Sequence, residues 1–289
     1  MKYAYYLGCT IPFRLNHYDL SSRKVAAALG IELVDIPDFS CCGLQLESIS
    51  HKAWLVSTAY NICKAEELDL DMVLLCNGCH TSLVQANEIL KKDKNLRDEI
   101  NEVLKDIDLE YKGKIKIKHF VTMLIRDYGI DKIKNKVKRY FDGLKVGAHD
   151  GCHFLRPSDY VKSDDPEMPR FLDELIELTG AKSIKYKDRL RCCGGPLLAV
   201  NDALATRLAR ERMKNFKEAN VDCIITICPF CNIMQDSQQL KIKEVYNETY
   251  GIPSLLYPQL LGLSLGIDPN ELGLDQNAIP TNSILEFLK

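Results

Sequence analysis

The sequence predicts an α/β protein built as a tandem duplication: two similar domains with short, mainly parallel sheets, related by an approximate two-fold axis. Three observations carry this prediction. The cysteines form two matching series, Cys9, Cys41-Cys42 and Cys76-Asn77-Gly78-Cys79, then Cys152, Cys192-Cys193 and Cys228-Pro229-Phe230-Cys231. The residues flanking them repeat as well, which marks an internal duplication. Within each repeat, short apolar runs alternate with helical patterns, the order expected of a layered α/β unit.

The two series match closely. Their intervening segments are 31 and 33 residues long in the first and 39 and 34 in the second. Tyr3-Ala4-Tyr5-Tyr6-Leu7-Gly8-Cys9 matches Val146-Gly147-Ala148-His149-Asp150-Gly151-Cys152, and Asp71 to Cys76 matches Asp222 to Cys228. Glycine follows both adjacent cysteine pairs, at Gly43 and at Gly194-Gly195. The join is expected at Asp142 and Gly143, dividing the chain into domains over 1–142 and 143–289 with one cysteine set each.

Strands are expected at 2–7, 31–36, 72–75 and 115–119, with counterparts at 144–148, 182–186 and 223–227. The clearest helix lies in the second repeat. Asp165 can cap it, Pro166 suits its first turn, and Met168, Phe171, Leu172, Leu175 and Ile176 form an apolar stripe that stops at Gly180. Ser21 to Gly30 reads as its shorter counterpart. Cys9, Cys76, Cys152 and Cys228 each fall where a strand ends, and each C-x-x-C opens a helical pattern, so the thiols gather where helix N-termini favour negative charge. The charged run Lys91 to Lys105 reads as a solvated helix face, and the apolar Leu255 to Leu265 as core or subunit interface. Cys63, in an apolar helix, and Cys223, in a strand, have no partners in the repeat and read as small buried hydrophobes.

At 289 residues the chain can hold two domains that fold without covalent staples. A net charge of -2 gives no basic excess for nucleic acid. The opening MKYAYYLGCT contains no signal-peptide core, and Leu255 to Ile267, broken by Pro258, falls short of the roughly 20 residues that span a bilayer. The expectation is a cytoplasmic protein without a membrane span. In that compartment twelve cysteines point to metal or redox chemistry instead of a disulfide framework.

Five thiols per repeat leave several readings open. Structural zinc takes four ligands and would leave one over. A thioredoxin-like dithiol would use only the C-x-x-C. An iron-sulfur cluster would have to form without the closely spaced cysteine run of bacterial ferredoxins.

The pattern C-x31-39-C-C-x33-34-C-x-x-C, present twice with glycine after the pair, resembles the CCG-domain family, and within it the B-type subunits of heterodisulfide reductase from methanogenic archaea. The resemblance covers nearly the whole chain. It implies two noncubane [4Fe-4S] clusters, one on Cys9, Cys41, Cys42, Cys76 and Cys79, the other on Cys152, Cys192, Cys193, Cys228 and Cys231. A fifth thiolate suits fused clusters, which expose more iron sites than a cubane, and the glycines let backbone amides approach the sulfides. The resemblance also implies the reaction, reduction of the mixed disulfide of coenzyme M and coenzyme B to two thiols by two one-electron transfers. The chain has no flavin or dinucleotide fingerprint, so electrons must come from a partner. The implied partners are a ferredoxin-like C-type subunit, which is the electron donor, and a flavin-containing A-type subunit, with a hydrogenase or formate dehydrogenase in the larger complex. Iron-sulfur subunits of thiol:fumarate or lactate-oxidising systems share the motif, and a zinc-stabilised scaffold is the alternative from another class.

Two thiolates leaving as thiols need two protons. His153, next to Cys152, is the general-acid candidate; His80 follows Cys79 and His149 precedes Cys152. The substrate's ends carry sulfonate, phosphate and carboxylate, which guanidinium forks recognise. Arg14, five residues after Cys9, and Arg156, four after Cys152, are the substrate-binding candidates, ahead of Arg189 and Arg191.

Overall fold

The computed structural model describes residues 1–289. Eight strands form two parallel four-stranded sheets. The first contains β1 (Lys2–Tyr6), β2 (Glu32–Asp35), β3 (Met72–Leu74) and β4 (Ile117–His119); the second contains β5 (Lys145–His149), β6 (Lys182–Ser183), β7 (Cys223–Thr226) and β8 (Ser254–Leu256). Their spatial orders, β2-β1-β3-β4 and β6-β5-β7-β8, are the same. Ala4 stands beside Val34 and Met72, and Val146 stands correspondingly beside Ser183 and Cys223.

Successive side chains of a strand face opposite ways. Tyr3, Tyr5, Val73 and Leu75 therefore enter a core shared by both halves, while Ala4, Tyr6, Met72 and Leu74 enter a core belonging to the first half. In the second half Val146, Ala148, Ile225 and Ile227 face the shared core and Ile224 the outer one. Burial on both faces is why the central strands read as continuous apolar runs and not as alternating ones.

The shared core is built reciprocally. Helix Asn16–Leu29, joining β1 to β2, packs on helix Tyr257–Ser264, which follows β8. Helix Phe171–Glu177, joining β5 to β6, packs on helix Phe120–Met123, which follows β4. Each half thus covers the other with equivalent helices, which is the packing expression of the two-fold relation. Between the two sheets in sequence, Phe141 pairs antiparallel with Leu288, and the Asp142 N–H donates to Phe287 O at 2.8 Å.

Three elements depart from expectation. The helix expected from Asp165 begins only at Phe171. The Asp165 carboxylate accepts from the N–H groups of Glu167 and Met168 and closes a separate turn; Asp164 fills the helix start instead, accepting from Arg170 and Phe171 at 2.7 Å each. Met168 is accordingly 74% exposed and not part of the stripe. The resulting helix has 7 residues against the 14 of Asn16–Leu29, so the first repeat carries the longer of the pair. The eighth strand, Ser254–Leu256, opens the segment read as core or subunit interface. It passes straight into helix Tyr257–Ser264, with Pro258 in the first turn where its missing N–H is harmless, so no polar break marks the switch.

The charged run Lys91 to Lys105 spans two helices, Asn77–Lys92 and Lys94–Leu104, split at Asp93, whose side chain caps the second by accepting from the Leu96 N–H at 3.0 Å. Its outer face is solvated, while Ile100 and Leu104 are buried. Cys63 and Cys223 are buried in helix His51–Glu66 and in β7. No helix is long and apolar enough to cross a membrane.

Candidate metal centre

In a parallel sheet the loops at the carboxyl ends of the strands are the natural place for a site. Cys9, Cys41-Cys42 and Cys76 follow β1, β2 and β3; Cys152, Cys192-Cys193 and Cys228 follow β5, β6 and β7. Gly8 and Gly151, at φ of +68° and +78°, turn the chain off the strand just before Cys9 and Cys152. A Cβ on Gly8 would stand 2.9 Å from Cys79 Sγ, and one on Gly151 would stand 2.5 Å from Asn77 Nδ2 and 3.1 Å from Cys231 Sγ. Only glycine supplies both the backbone conformation and the space. Cys76 and Cys228 are the N-cap residues of helices Asn77–Lys92 and Pro229–Gln235, so the positive helix ends face the thiols.

The adjacent pairs sit on equivalent loops. Gly43 and Gly194 adopt left-handed conformations and lead into single turns at Leu44–Leu46 and Gly195–Leu197. The N–H groups of Gly194 and Gly195 each point at a sulfur, that of Cys192 and that of Cys193, at 3.4 Å. The anchors differ between the halves. The first loop is held by neutral groups: Asn61 and Ser57 donate to Cys41 O at 3.2 and 3.0 Å, Ser82 donates to Cys42 O at 2.7 Å, and Tyr6 donates to Ser40 O at 2.6 Å. The second is held by the Arg212 guanidinium, which donates to Arg191 O at 2.6 Å and Cys192 O at 3.4 Å. Beside it, Arg189 is clamped between the carboxylates of Asp150 and Asp173.

The halves meet at the cysteine segments. Asn77 donates to Asp150 O and Thr81 to His153 O, both at 2.7 Å. The Tyr18 hydroxyl lies 3.0 Å from the carbonyl oxygens of Leu75 and Ile227, the residues that precede Cys76 and Cys228. His119 Nε2 is 3.1 Å from the same Leu75 oxygen. Between the halves lies a cavity of about 320 Å³, lined by Cys9, Cys41, Cys42, Cys76 and Cys79 from one side and Cys152, Cys193, Cys228 and Cys231 from the other. Cys192 alone of the two sets is off this wall, and it is exposed.

Thiols this crowded share protons. Hydrogen bonds from Cys41 and Cys79 hold Cys42 well below the usual thiol range, and Cys41, as a donor, is pushed up. Cys152 and Cys193 hold Cys192 down in the same way. Across the halves, Cys76 is raised by donating to Cys228, and Cys228 is lowered by Cys231 and Cys76. No three His, Cys, Asp or Glu side chains converge on a point that one ion would fill. Soft sulfur donors spread over a cavity wall, with N–H groups aimed at sulfur, fit a polynuclear iron-sulfur group.

Of the other sequence candidates, His153 lines the cavity, and its Nδ1 is buried without a hydrogen-bond partner. His80 faces away into a separate groove with Lys116, Lys118 and Arg126; its ring meets His119 edge-on at 5.9 Å, and burial lowers it to about 3. His149 is buried behind the wall with Nδ1 3.1 Å from the Tyr186 hydroxyl, and burial pushes it far down. Arg14 is exposed at the end of helix Thr10–Arg14, and Arg156 donates to Pro166 O at 3.0 Å; neither is on the cavity wall. Arg191 pairs with Asp188 at the surface. Sequence reading missed Tyr18, His119, Asn61 and Arg212. The last two had a signal, since they stand at the same offset from Cys41 and Cys192.

The family model of the cysteine-rich domain CCG matches residues 3–84 and 146–236. The chain is 37% identical to the B-type subunit of the ferredoxin/F420H2-dependent CoB-CoM heterodisulfide reductase of Methanosarcina acetivorans, over 99% of this chain and 96% of that one. It is 28% identical to the 8-methylmenaquinol:fumarate reductase membrane anchor subunit of Wolinella succinogenes, over 98% of this chain and 99% of that one. Among solved structures, a hypothetical protein from Helicobacter pylori shares the fold, with a TM-score of 0.78 at 18% identity over 97% of this chain, which spans 52% of that longer one. With the repeat, the paired sheets and the facing cysteine loops in agreement, the chain belongs to the CCG cysteine-rich domain family, in its group of heterodisulfide reductase B-type subunits.

Proposed function

We propose that this chain is the catalytic iron-sulfur subunit of a heterodisulfide reductase, reducing the mixed disulfide of coenzyme M and coenzyme B to two thiols. One observation carries the reading: nine cysteines, drawn from both repeats, line a single cavity. Each repeat, divided at Asp142 and Gly143, holds one site: Cys9, Cys41, Cys42, Cys76 and Cys79, and Cys152, Cys192, Cys193, Cys228 and Cys231. Two noncubane [4Fe-4S] clusters bound there would each supply one electron and an iron site for one released thiolate.

The chain's own residues do the rest. Splitting one S–S bond takes two electrons and two protons, and two facing sites answer the two sulfurs. His153 delivers the two protons in turn, reprotonated from solvent between them, with its backbone held by Thr81 and its buried Nδ1 free of competing bonds. Leu7, Leu44 and Phe230 on the wall keep water from the reacting sulfurs. Arg14 and Arg156, on the segments that follow Cys9 and Cys152, meet the anionic ends of the substrate outside the wall. Electrons arrive in the cytoplasm from a ferredoxin-like C-type subunit, fed by a flavin-containing A-type subunit together with a hydrogenase or formate dehydrogenase.

The relative named as a fumarate reductase subunit supports a second reading, in which the same sites serve another redox enzyme; thiol:fumarate and lactate-oxidising systems, which share the cysteine motif, are the forms it would take. A zinc-stabilised scaffold is the weaker alternative, because the thiols line a wall and do not converge on an ion-sized point. The test is heterodisulfide reduction by the assembled complex carrying Cys41→Ser or Cys193→Ser. Either change abolishes it if both sites are needed; full activity in either variant overturns the reading.

A further inference from the structure

Asn61 and Arg212 occupy the same place in the two repeats. Each sits on the helix that follows an adjacent cysteine pair, His51–Glu66 and Asp202–Glu218, at the same offset from Cys41 and Cys192. Each is buried, and each donates to the carbonyl of the first cysteine of its pair, Asn61 to Cys41 O at 3.2 Å and Arg212 to Cys192 O at 3.4 Å. One position therefore has one loop-holding job done by a neutral amide in the first half and by a cation in the second.

The acceptors around Arg212 sharpen the difference. They are all backbone carbonyls, those of Asp188, Arg189, Arg191 and Cys192. The neighbouring guanidinium of Arg189 is answered by two carboxylates, Asp150 and Asp173, so that group carries one negative charge in excess, which the Arg212 cation beside it opposes. Arg212 is 5% exposed and has no carboxylate partner. Its guanidinium stands directly against the second cysteine set, with one nitrogen bonded to both Arg191 O and Cys192 O. At the first site the same surroundings are Tyr6, Trp54, Ser57, Asn61 and Ser82, all uncharged.

We propose that Arg212 is a positioning residue that makes the two sites electrically unequal, raising the reduction potential of the iron-sulfur cluster held by Cys152, Cys192, Cys193, Cys228 and Cys231. The inference rests on the two-cluster reading above. An added electron makes a cluster more negative, a buried cation stabilises that state, and in a low-dielectric surrounding the effect is far larger than in water. A duplicated protein that handles two electrons one at a time thereby acquires an order of filling that its symmetric cysteines alone would not give it.

The test is a potentiometric titration of the anaerobically purified full chain followed by EPR, with signals assigned to sites in the Cys41→Ser and Cys193→Ser backgrounds. Arg212→Gln keeps an amide donor, as at Asn61, and removes the charge; the second-site midpoint falls while the first stays put. Arg212→Lys keeps the charge and stays near wild type. An unchanged second-site midpoint in Arg212→Gln overturns the proposal. If that variant no longer holds a cluster at the second site, Asn61→Arg decides: the first-site midpoint rises if the proposal is right, and an unchanged value overturns it. Iron content of the wild-type chain judges the underlying reading separately, since zinc or a single cluster there would remove the two-cluster premise and not the role of the charge.

Discussion

The Tyr18 hydroxyl and the Ile227 carbonyl oxygen, 209 residues apart in sequence, meet at 3.0 Å in the buried seam between the halves. The same hydroxyl stands 3.0 Å from Leu75 O, so one side chain touches the backbone just before Cys76 and just before Cys228. Tyr18→Phe keeps the ring and removes the hydroxyl that stands against both carbonyl oxygens. His119 Nε2 still lies 3.1 Å from Leu75 O, so the change removes a hydrogen bond without orphaning that oxygen, at a cost of about 0.5–1.5 kcal/mol. Chemical denaturation should show a loss of that size.

Gly151→Ala should be worse for the site than for the fold. At φ +78° and ψ +145° the backbone lies in a region open essentially to glycine, which costs another residue about 1–3 kcal/mol, and the new methyl would have to displace Asn77 Nδ2 and Cys231 Sγ together. Asn77 also holds Asp150 O across the seam. The expected outcome is a chain that folds with reduced stability and binds about half the wild-type iron, read by metal analysis beside a denaturation curve.

The protein should lose stability in mild acid. Burial depresses His17 and His119 to about 4, below the usual histidine value of 6.5. The unfolded chain takes up these protons first, so their contribution is present above pH 6.5 and is lost as pH falls toward 4. Asp236, raised by burial to about 6, works the other way: its contribution is present at acid pH and lost as pH rises through 6. With His80 and His149 also depressed by burial, four histidines outweigh the two raised carboxyls, Asp236 and Asp150, so the midpoint falls as pH drops from 6.5 toward 4. His119→Gln should flatten the decline, measured as denaturant midpoint against pH.

How much of this was legible in the sequence follows from what a repeat can and cannot carry. The cysteine register and seven of the eight strands were readable, because strand ends and thiols recur together in both halves. The eighth, Ser254–Leu256, was hidden since strand and helix are both fully buried there and neither period is visible, yet the counterpart of β4 had to lie in that region. Histidines were harder. His153 and His80 flank cysteines alike in sequence, but His153 follows the first cysteine of its set and faces the cavity, while His80, inside helix Asn77–Lys92, turns away from it. Nothing local foretold Tyr18, whose role exists only once the halves dock.

His153→Gln should lower heterodisulfide reduction by roughly a hundredfold or more, the usual scale for losing a general acid. Iron content should stay at the wild-type level, because the cavity cysteines and the Thr81 contact to the His153 backbone are untouched. A variant that loses iron in step with activity would make His153 a support of the site and not a proton donor.

The most direct test of the whole account is iron, zinc and acid-labile sulfide analysis of anaerobically purified protein, joined to EPR with and without added thiol. Two four-iron clusters predict about eight irons and about eight sulfides per chain, no stoichiometric zinc, and a paramagnetic signal that changes when thiol is added. A colourless protein with stoichiometric zinc and no labile sulfide would contradict it.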